Sequence, residues 1–128
     1  LCLHPSSRRV LLGLRNDCKE WSTFGGHFEE SDLTVKNTAI REFREETLCQ
    51  NPYKISNEPI YIFQNKFLRY YTFLSICEKM FEPTIDQEHL EYCWFKIDSL
   101  PTNILPGCKQ MFNKKMPLLN RICDINKR

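Results

Sequence analysis

Hydrophobic and polar positions along the chain fall into segments of period two and segments of helical period. RRVLLGLR at 8–15 has an apolar, β-rich centre between basic ends, and the Asn16-Asp17 pair that follows is a turn signal, so a strand is expected over about 8–14. EWSTF at 20–24 reads as a short second strand running into Gly25-Gly26. Beyond the glycines, Val35, Ala39, Ile40 and Phe43 recur at helical spacing with Thr34 or Asp32 as N-cap, which predicts a helix from about 33 to 47. PIYIFQN (59–65) and KFLRYYTFLSICE (66–78) are rich in aromatic and β-branched residues and read as two strands joined by a tight turn at Gln64-Asn65-Lys66. EYCWFKI (91–97) predicts a further strand, with Cys93 and Phe95 on one face and Tyr92 and Trp94 on the other. Residues from about 105 to 122 should be mostly helical, with Pro106 and Pro117 starting or breaking the helix. The order strands, helix, strands, helix implies an α+β fold with a mixed sheet between helices.

Composition narrows this picture. The 128 residues suit one domain, 1–128, with 41% hydrophobic and 27% charged positions, an ordinary globular balance. The formal charge of +2 hides an asymmetry: acids gather at 29–46 and bases near the C-terminus, at Lys114, Lys115, Arg121, Lys127 and Arg128. That basic end is read as solvated helix surface. The seven cysteines are odd in number, scattered and never spaced C-x-x-C, so a disulfide framework and a zinc site are both disfavoured and reduced thiols in a cytoplasm are expected. No run approaches about 20 apolar residues, so no membrane partner is expected.

The chemistry concentrates in FGGHFEESDLTVKNTAIREFREETL, residues 24–48. Residues three and four apart share a helix face, so Glu42, Glu45 and Glu46 should project together, their β-carbons about 5–6 Å apart. Arg41 is the basic residue on an adjoining edge. Val35, Ala39 and Phe43 on the opposite face should fix the helix to a core and leave the acids pointing outward. A rigid cluster of hard oxygens suits Mg²⁺ or Mn²⁺, ions that also hold substrate phosphates and water. Gly25 and Gly26, lacking side chains, would let the backbone approach such a centre and offer a carbonyl to it.

These residues resemble the box of the Nudix hydrolases, G-x5-E-x7-R-E-U-x-E-E-x-G-U, where U is bulky and apolar. Gly26 opens the box and REFREE (41–46) fits its R-E-U-x-E-E core. Asp32 stands where the first glutamate belongs, its spacing to Arg41 one residue longer than the pattern, with Glu29 or Glu30 as substitute partners for Arg41. Leu48 replaces the closing glycine. The flanks also look similar: VLLGLR and WSTFGG before the box, and EHLEYCWFKIDSLP (88–101) after it. The resemblance implies an α/β/α sandwich and, for the metal, the ligands Glu42, Glu45, Glu46 and the carbonyl of Gly25. It implies Arg41 as the residue orienting these carboxylates. Glu88, preferred over Glu91, becomes a further ligand or the general base, a role for which Glu46 and Glu45, either of them close to the attacking water, are alternatives. Gly26, Arg15, Phe24 and His27 are assigned to substrate contact. His27 and His89 are otherwise read as loop residues, and Trp94 and Phe95 as packing.

The expected function is divalent-metal-dependent hydrolysis of a phosphoanhydride in a nucleoside diphosphate linked to another moiety, with Mg²⁺ or Mn²⁺ as cofactor. A small nucleotide, a nucleoside triphosphate or nucleotide sugar, is preferred over a capped or 5′-triphosphorylated RNA end. The alternative from another class is a non-catalytic nucleotide-binding or interaction module on the same fold. A monomer or homodimer is expected.

Overall fold

The structure, a computed structural model, describes residues 1–24, 34–47, 54–67 and 69–125. Its strands are β1 (Cys2–His4), β2 (Arg9–Arg15), β3 (Trp21–Ser22), β4 (Lys54–Ile55), β5 (Tyr61–Gln64), β6 (Arg69–Thr72), β7 (Ser75–Ile76) and β8 (His89–Lys96), and its helices are α1 (Val35–Thr47) and α2 (Pro106–Ile125).

The apolar stretch of β2 makes it the hub of the main sheet. Antiparallel β8 pairs with it from Arg9 to Arg15, β1 pairs with Arg9–Leu11, and β3 with Gly13 and Leu14. From β1 the sheet continues through a parallel β7 to an antiparallel β4, so it is mixed, and β5 and β6 form a separate antiparallel pair. Alternation in the sheet divides the interior. Leu3, Val10 and Leu12 face one layer with Cys108, Met111, Phe112, Leu119 and Cys123 of α2. Cys2 and Leu11 face the other, with Phe24, Cys77 and the partly buried Phe43 of α1. The sheet therefore lies between the helices, the α+β sandwich expected. In β8, Cys93 and Phe95 join the α2 layer and Tyr92 and Trp94 the α1 layer, as the alternation required.

Several expectations need correction. The strand expected over 66–78 is two strands in different sheets, because Phe73 and Leu74 are both buried, at 3% and 7% exposure, and the alternation breaks between them. The hairpin turn reaches to Arg69, with Asn65 Oδ1 accepting the Phe67 N–H at 2.9 Å. Pro117 does not break α2, which runs unbroken for 20 residues. The proline removes a bond to the carbonyl of Asn113, an exposed residue where water can replace it. His89 is no loop residue; it opens β8 with 5% exposure. Finally, Cys2 and Cys77 form a disulfide, with Cα atoms 6.5 Å apart, against the expectation of reduced thiols throughout. Spacing could not show this pair, since the two cysteines stand 75 positions apart and are brought together by the parallel pairing of β1 and β7. Cys18, Cys93, Cys108 and Cys123 are free. Among the described residues no helix is long and apolar enough to cross a membrane.

Candidate active site

Thr34 caps α1: its Oγ1 accepts the Asn37 N–H at 3.1 Å, which leaves Asp32 unneeded for that task. The helix then turns its faces differently from the simple expectation. Glu42, Glu45 and Glu46 do not project together. Glu46 points inward with 3% exposure, beneath the layer that holds Phe43, whereas the Glu45 side chain is 58% exposed and Glu42 lies between these extremes at 16%. Glu42 and Glu46 are four apart and form one stripe. Arg41 joins the acids across the edge, with Nη1 at 2.9 Å from Glu42 Oε1 and 3.1 Å from Glu45 Oε2.

Two strands bring the other residues to this stripe. The turn before β8 is held by Asp86, whose Oδ1 accepts the Glu88 N–H at 3.0 Å and sits 3.4 Å from His89 Nδ1. Across from it, the Asn16 N–H donates to the Glu88 carbonyl at 2.8 Å, which ties the turn to the end of β2. At that point the β2–β8 register shifts between Leu14 and Arg15. Phe24 meets the His89 ring in a tilted contact at 4.6 Å between centroids and lies edge-on to Phe43 at 6.2 Å. Both rings crowd Gly13, where an added Cβ would come within 2.6 Å of Phe24 and 2.7 Å of His89. A glycine inside a strand pattern marks such a close approach, and that signal was there to be read in the sequence.

Electrostatics singles out Glu46. Burial first, then the carboxylates of Glu42, Glu88 and Asp86, push it from an ordinary 4.5 up to about 8, while the Arg15 guanidinium pulls the other way. Its Oε2 is buried with no hydrogen-bond partner, as is Nε2 of His89. An orphaned buried carboxylate oxygen is what a divalent cation would satisfy, and hard oxygens are its preferred donors. Among the described residues no group of three or more His, Cys, Asp or Glu is drawn together as a ligand set. The carbonyl of Gly25, with Gly26, His27, Glu29, Glu30, Asp32 and Leu48, lies outside the described residues.

The remaining candidates divide. Arg15 is engaged by Asp17 in a two-pronged contact at 3.0 and 2.8 Å, yet also lines a cleft of about 280 Å³. That cleft is closed by Phe63 of β5, Tyr70 of β6 and Gly107 at the start of α2. A Cβ on Gly107 would meet the Phe63 ring at 3.1 Å, so the glycine sets how close the helix approaches the ring. Phe24 is a buried wall residue rather than an exposed contact. Trp94 and Phe95 pack as expected, Trp94 Nε1 donating to the Phe81 carbonyl at 3.0 Å and Phe95 meeting Trp21 edge-on at 4.8 Å. Asp86 and Gly13 were not singled out as site residues from sequence.

Comparison with known proteins agrees with this architecture. Residues 1–116 match the model of the NUDIX domain, so the chain belongs to the Nudix family and is a hydrolase of the pyrophosphohydrolase type, acting on nucleoside diphosphate derivatives. Solved structures similar in fold include a Nudix hydrolase from M. smegmatis, RenU, at TM-score 0.74 and 15% identity, covering 94% of this chain and 81% of that one. A C. elegans Ap4A hydrolase matches at TM-score 0.73 and 16% identity over 87% of this chain and 86% of that one. The E. coli dihydroneopterin triphosphate pyrophosphohydrolase matches at 0.72 and 17%, over 89% of each chain. No curated protein sequence matches significantly.

Proposed function

We propose that the chain hydrolyses a phosphoanhydride of a small nucleotide with the help of Mg²⁺ or Mn²⁺ held on the inward stripe of α1. The observation that carries this reading is the buried Oε2 of Glu46, without a hydrogen-bond partner, on the same helical stripe as Glu42. A lone carboxylate so placed costs about 1–3 kcal/mol for its missing partner, a cost that a cation would remove.

In this reading Glu46 and Glu42 hold the ion, with Glu45 at the rim, and Arg41 keeps Glu42 and Glu45 in place by its two contacts. Bound metal would lower the pKa of water, polarise the phosphoryl oxygens and neutralise charge on the departing phosphate. Glu88 is exposed on a turn anchored at both ends, so it can meet water and take its proton, while Glu46 is buried away from solvent. The cleft beside Arg15 is sized for a fused-ring base, with Phe63 as a stacking face. Such stacking is worth about 1–3 kcal/mol per base.

The test is phosphate-product release from nucleoside triphosphates, dinucleoside polyphosphates, nucleotide sugars and capped RNA, with Mg²⁺, Mn²⁺ or chelator. Turnover that requires the metal and falls at least about 100-fold in Glu46→Gln is expected. Turnover indifferent to metal, or a fully active Glu46→Gln, would sink the assignment.

A further inference from the structure

Glu88 stands on an exposed turn, yet its backbone is held on both sides. Its N–H donates to Asp86 Oδ1 at 3.0 Å, and its carbonyl accepts the Asn16 N–H at 2.8 Å. Water could satisfy an exposed amide equally well, so the bond to Asp86 constrains the turn without being a requirement of burial. A carboxylate oxygen only accepts, and the same Oδ1 also takes the His89 Nδ1–H at 3.4 Å, while the Asp86 carbonyl accepts the His89 N–H at 3.3 Å. Asp86 thus joins an exposed amide to a buried ring.

That ring is itself fixed. The His89 side chain is 1% exposed, against 38% for Asp86. Phe24 covers it at 4.6 Å between centroids and in turn meets Phe43 of α1 at 6.2 Å. Gly13 of β2 closes another side, where an added Cβ would come within 2.7 Å of His89 Cδ2. The rings of His89, Phe24 and Phe43 therefore run from the turn that carries Glu88 to the helix that carries Glu42 and Glu46. Side chains packed at interior density move little, so these contacts set the separation of turn and helix. Asp86 is the link between that rigid series and the Glu88 backbone. Asp86 and Glu88 also lie near enough to α1 for their charges to bear on Glu46. Positioning of this kind matters, because a displacement of about 1 Å at a reacting group costs about 100-fold in rate.

We infer that Asp86 is a positioning residue: braced on the buried His89 ring, its carboxylate fixes the Glu88 backbone so that the Glu88 side chain meets the reacting water beside the acids of α1. This rests on the reading of Glu88 as the proton acceptor given above. Asp86 acts through Glu88 alone, and by its accepting oxygen, not by its charge.

The test measures kcat and KM in saturating Mg²⁺, on whichever of the compounds above is turned over, for Glu88→Gln, Asp86→Ala, Asp86→Asn and the double variant Asp86→Ala/Glu88→Gln. Glu88→Gln should lower kcat at least about 100-fold. Asp86→Ala should lower kcat about tenfold with KM unchanged, the scale of one hydrogen bond. Asp86→Asn, which keeps the accepting oxygen and removes the charge, should restore most of that loss. The double variant should be no slower than Glu88→Gln, since a residue that acts only through another then has nothing left to position. Wild-type kcat in Asp86→Ala, an Asp86→Asn as slow as Asp86→Ala, or losses that multiply in the double variant overturn the inference and leave Glu88 as the base. A Glu88→Gln as fast as the wild type overturns the base reading and the inference with it. Amide hydrogen exchange of the metal-free protein reads the same clamp without turnover. The Glu88 N–H should exchange about tenfold faster in Asp86→Ala and at the wild-type rate in Asp86→Asn. A rate indifferent to Asp86→Ala overturns the inference.

Discussion

The two faces of the central sheet are built to different standards. On the α2 side, Leu3, Val10, Met111, Leu119 and Cys123 are fully buried, and a 20-residue helix is seated on them. On the α1 side the buried cluster is smaller among the described residues, Phe43, Phe81 and Trp94 are only partly covered, and on the same helix the buried carboxylate of Glu46 has one oxygen without a hydrogen bond. One face thus supplies stability and the other carries a local cost, which the metal site proposed above would offset. Native cores leave few polar atoms unsatisfied, and those few concentrate where a ligand is meant to complete them.

Mutations can break this contrast, and the largest effect is expected on the α2 side. Met111→Ala, at 0% exposure, should cost about 2–5 kcal/mol and lower the melting temperature accordingly. An unchanged melting curve would show that the α2 layer is not the stable one. Glu46→Gln should do the reverse: kcat falls at least about 100-fold, or about 2.7 kcal/mol of transition-state stabilisation, while the melting temperature in chelator holds or rises. A clear loss of stability in chelator would mean that Glu46 is a structural residue.

The same carboxylate sets a pH dependence of known sign. Its folded value of about 8 lies above the ordinary 4.5, so the folded state favours the protonated form. That contribution is fully present below the ordinary value and is lost as pH rises through about 8. The metal-free protein should therefore lose stability from pH 5 to pH 8 more steeply than Glu46→Gln, and added Mg²⁺ or Mn²⁺ should restore it by binding the folded state. Parallel melting curves for the two proteins across that range would contradict this. The smallest effect is at the start of α1. Thr34→Ala removes the cap and should cost about 1 kcal/mol by denaturant titration; no loss would shift the capping role elsewhere.

Local pattern carried a good part of this. The apolar stretch at 8–14, the helix after Thr34 and the face assignment of Tyr92 through Phe95 depend on neighbours in the chain, and all appear in the structure. The short strands Cys2–His4 and Lys54–Ile55 were not legible, because two or three residues are too few to show a period. The acids of REFREE could be placed on a helix but not oriented. Which stripe turns inward depends on where Phe43 finds Phe24 and Phe81, at 6.2 and 6.0 Å, and those partners lie far away in sequence.

By itself the sequence determined the order of the longer elements, the helix that bears the acids and the family resemblance, since each is encoded in spacing along one stretch of chain. Only the tertiary structure decided that Glu46 is buried while Glu45 is not, that Cys2 meets Cys77, and that Phe24 and His89 close on Gly13. The physical reason is common to all three. Burial and enclosure are properties of residues brought together from distant segments, and the entropy of closing those long loops is offset by packing that no local pattern records.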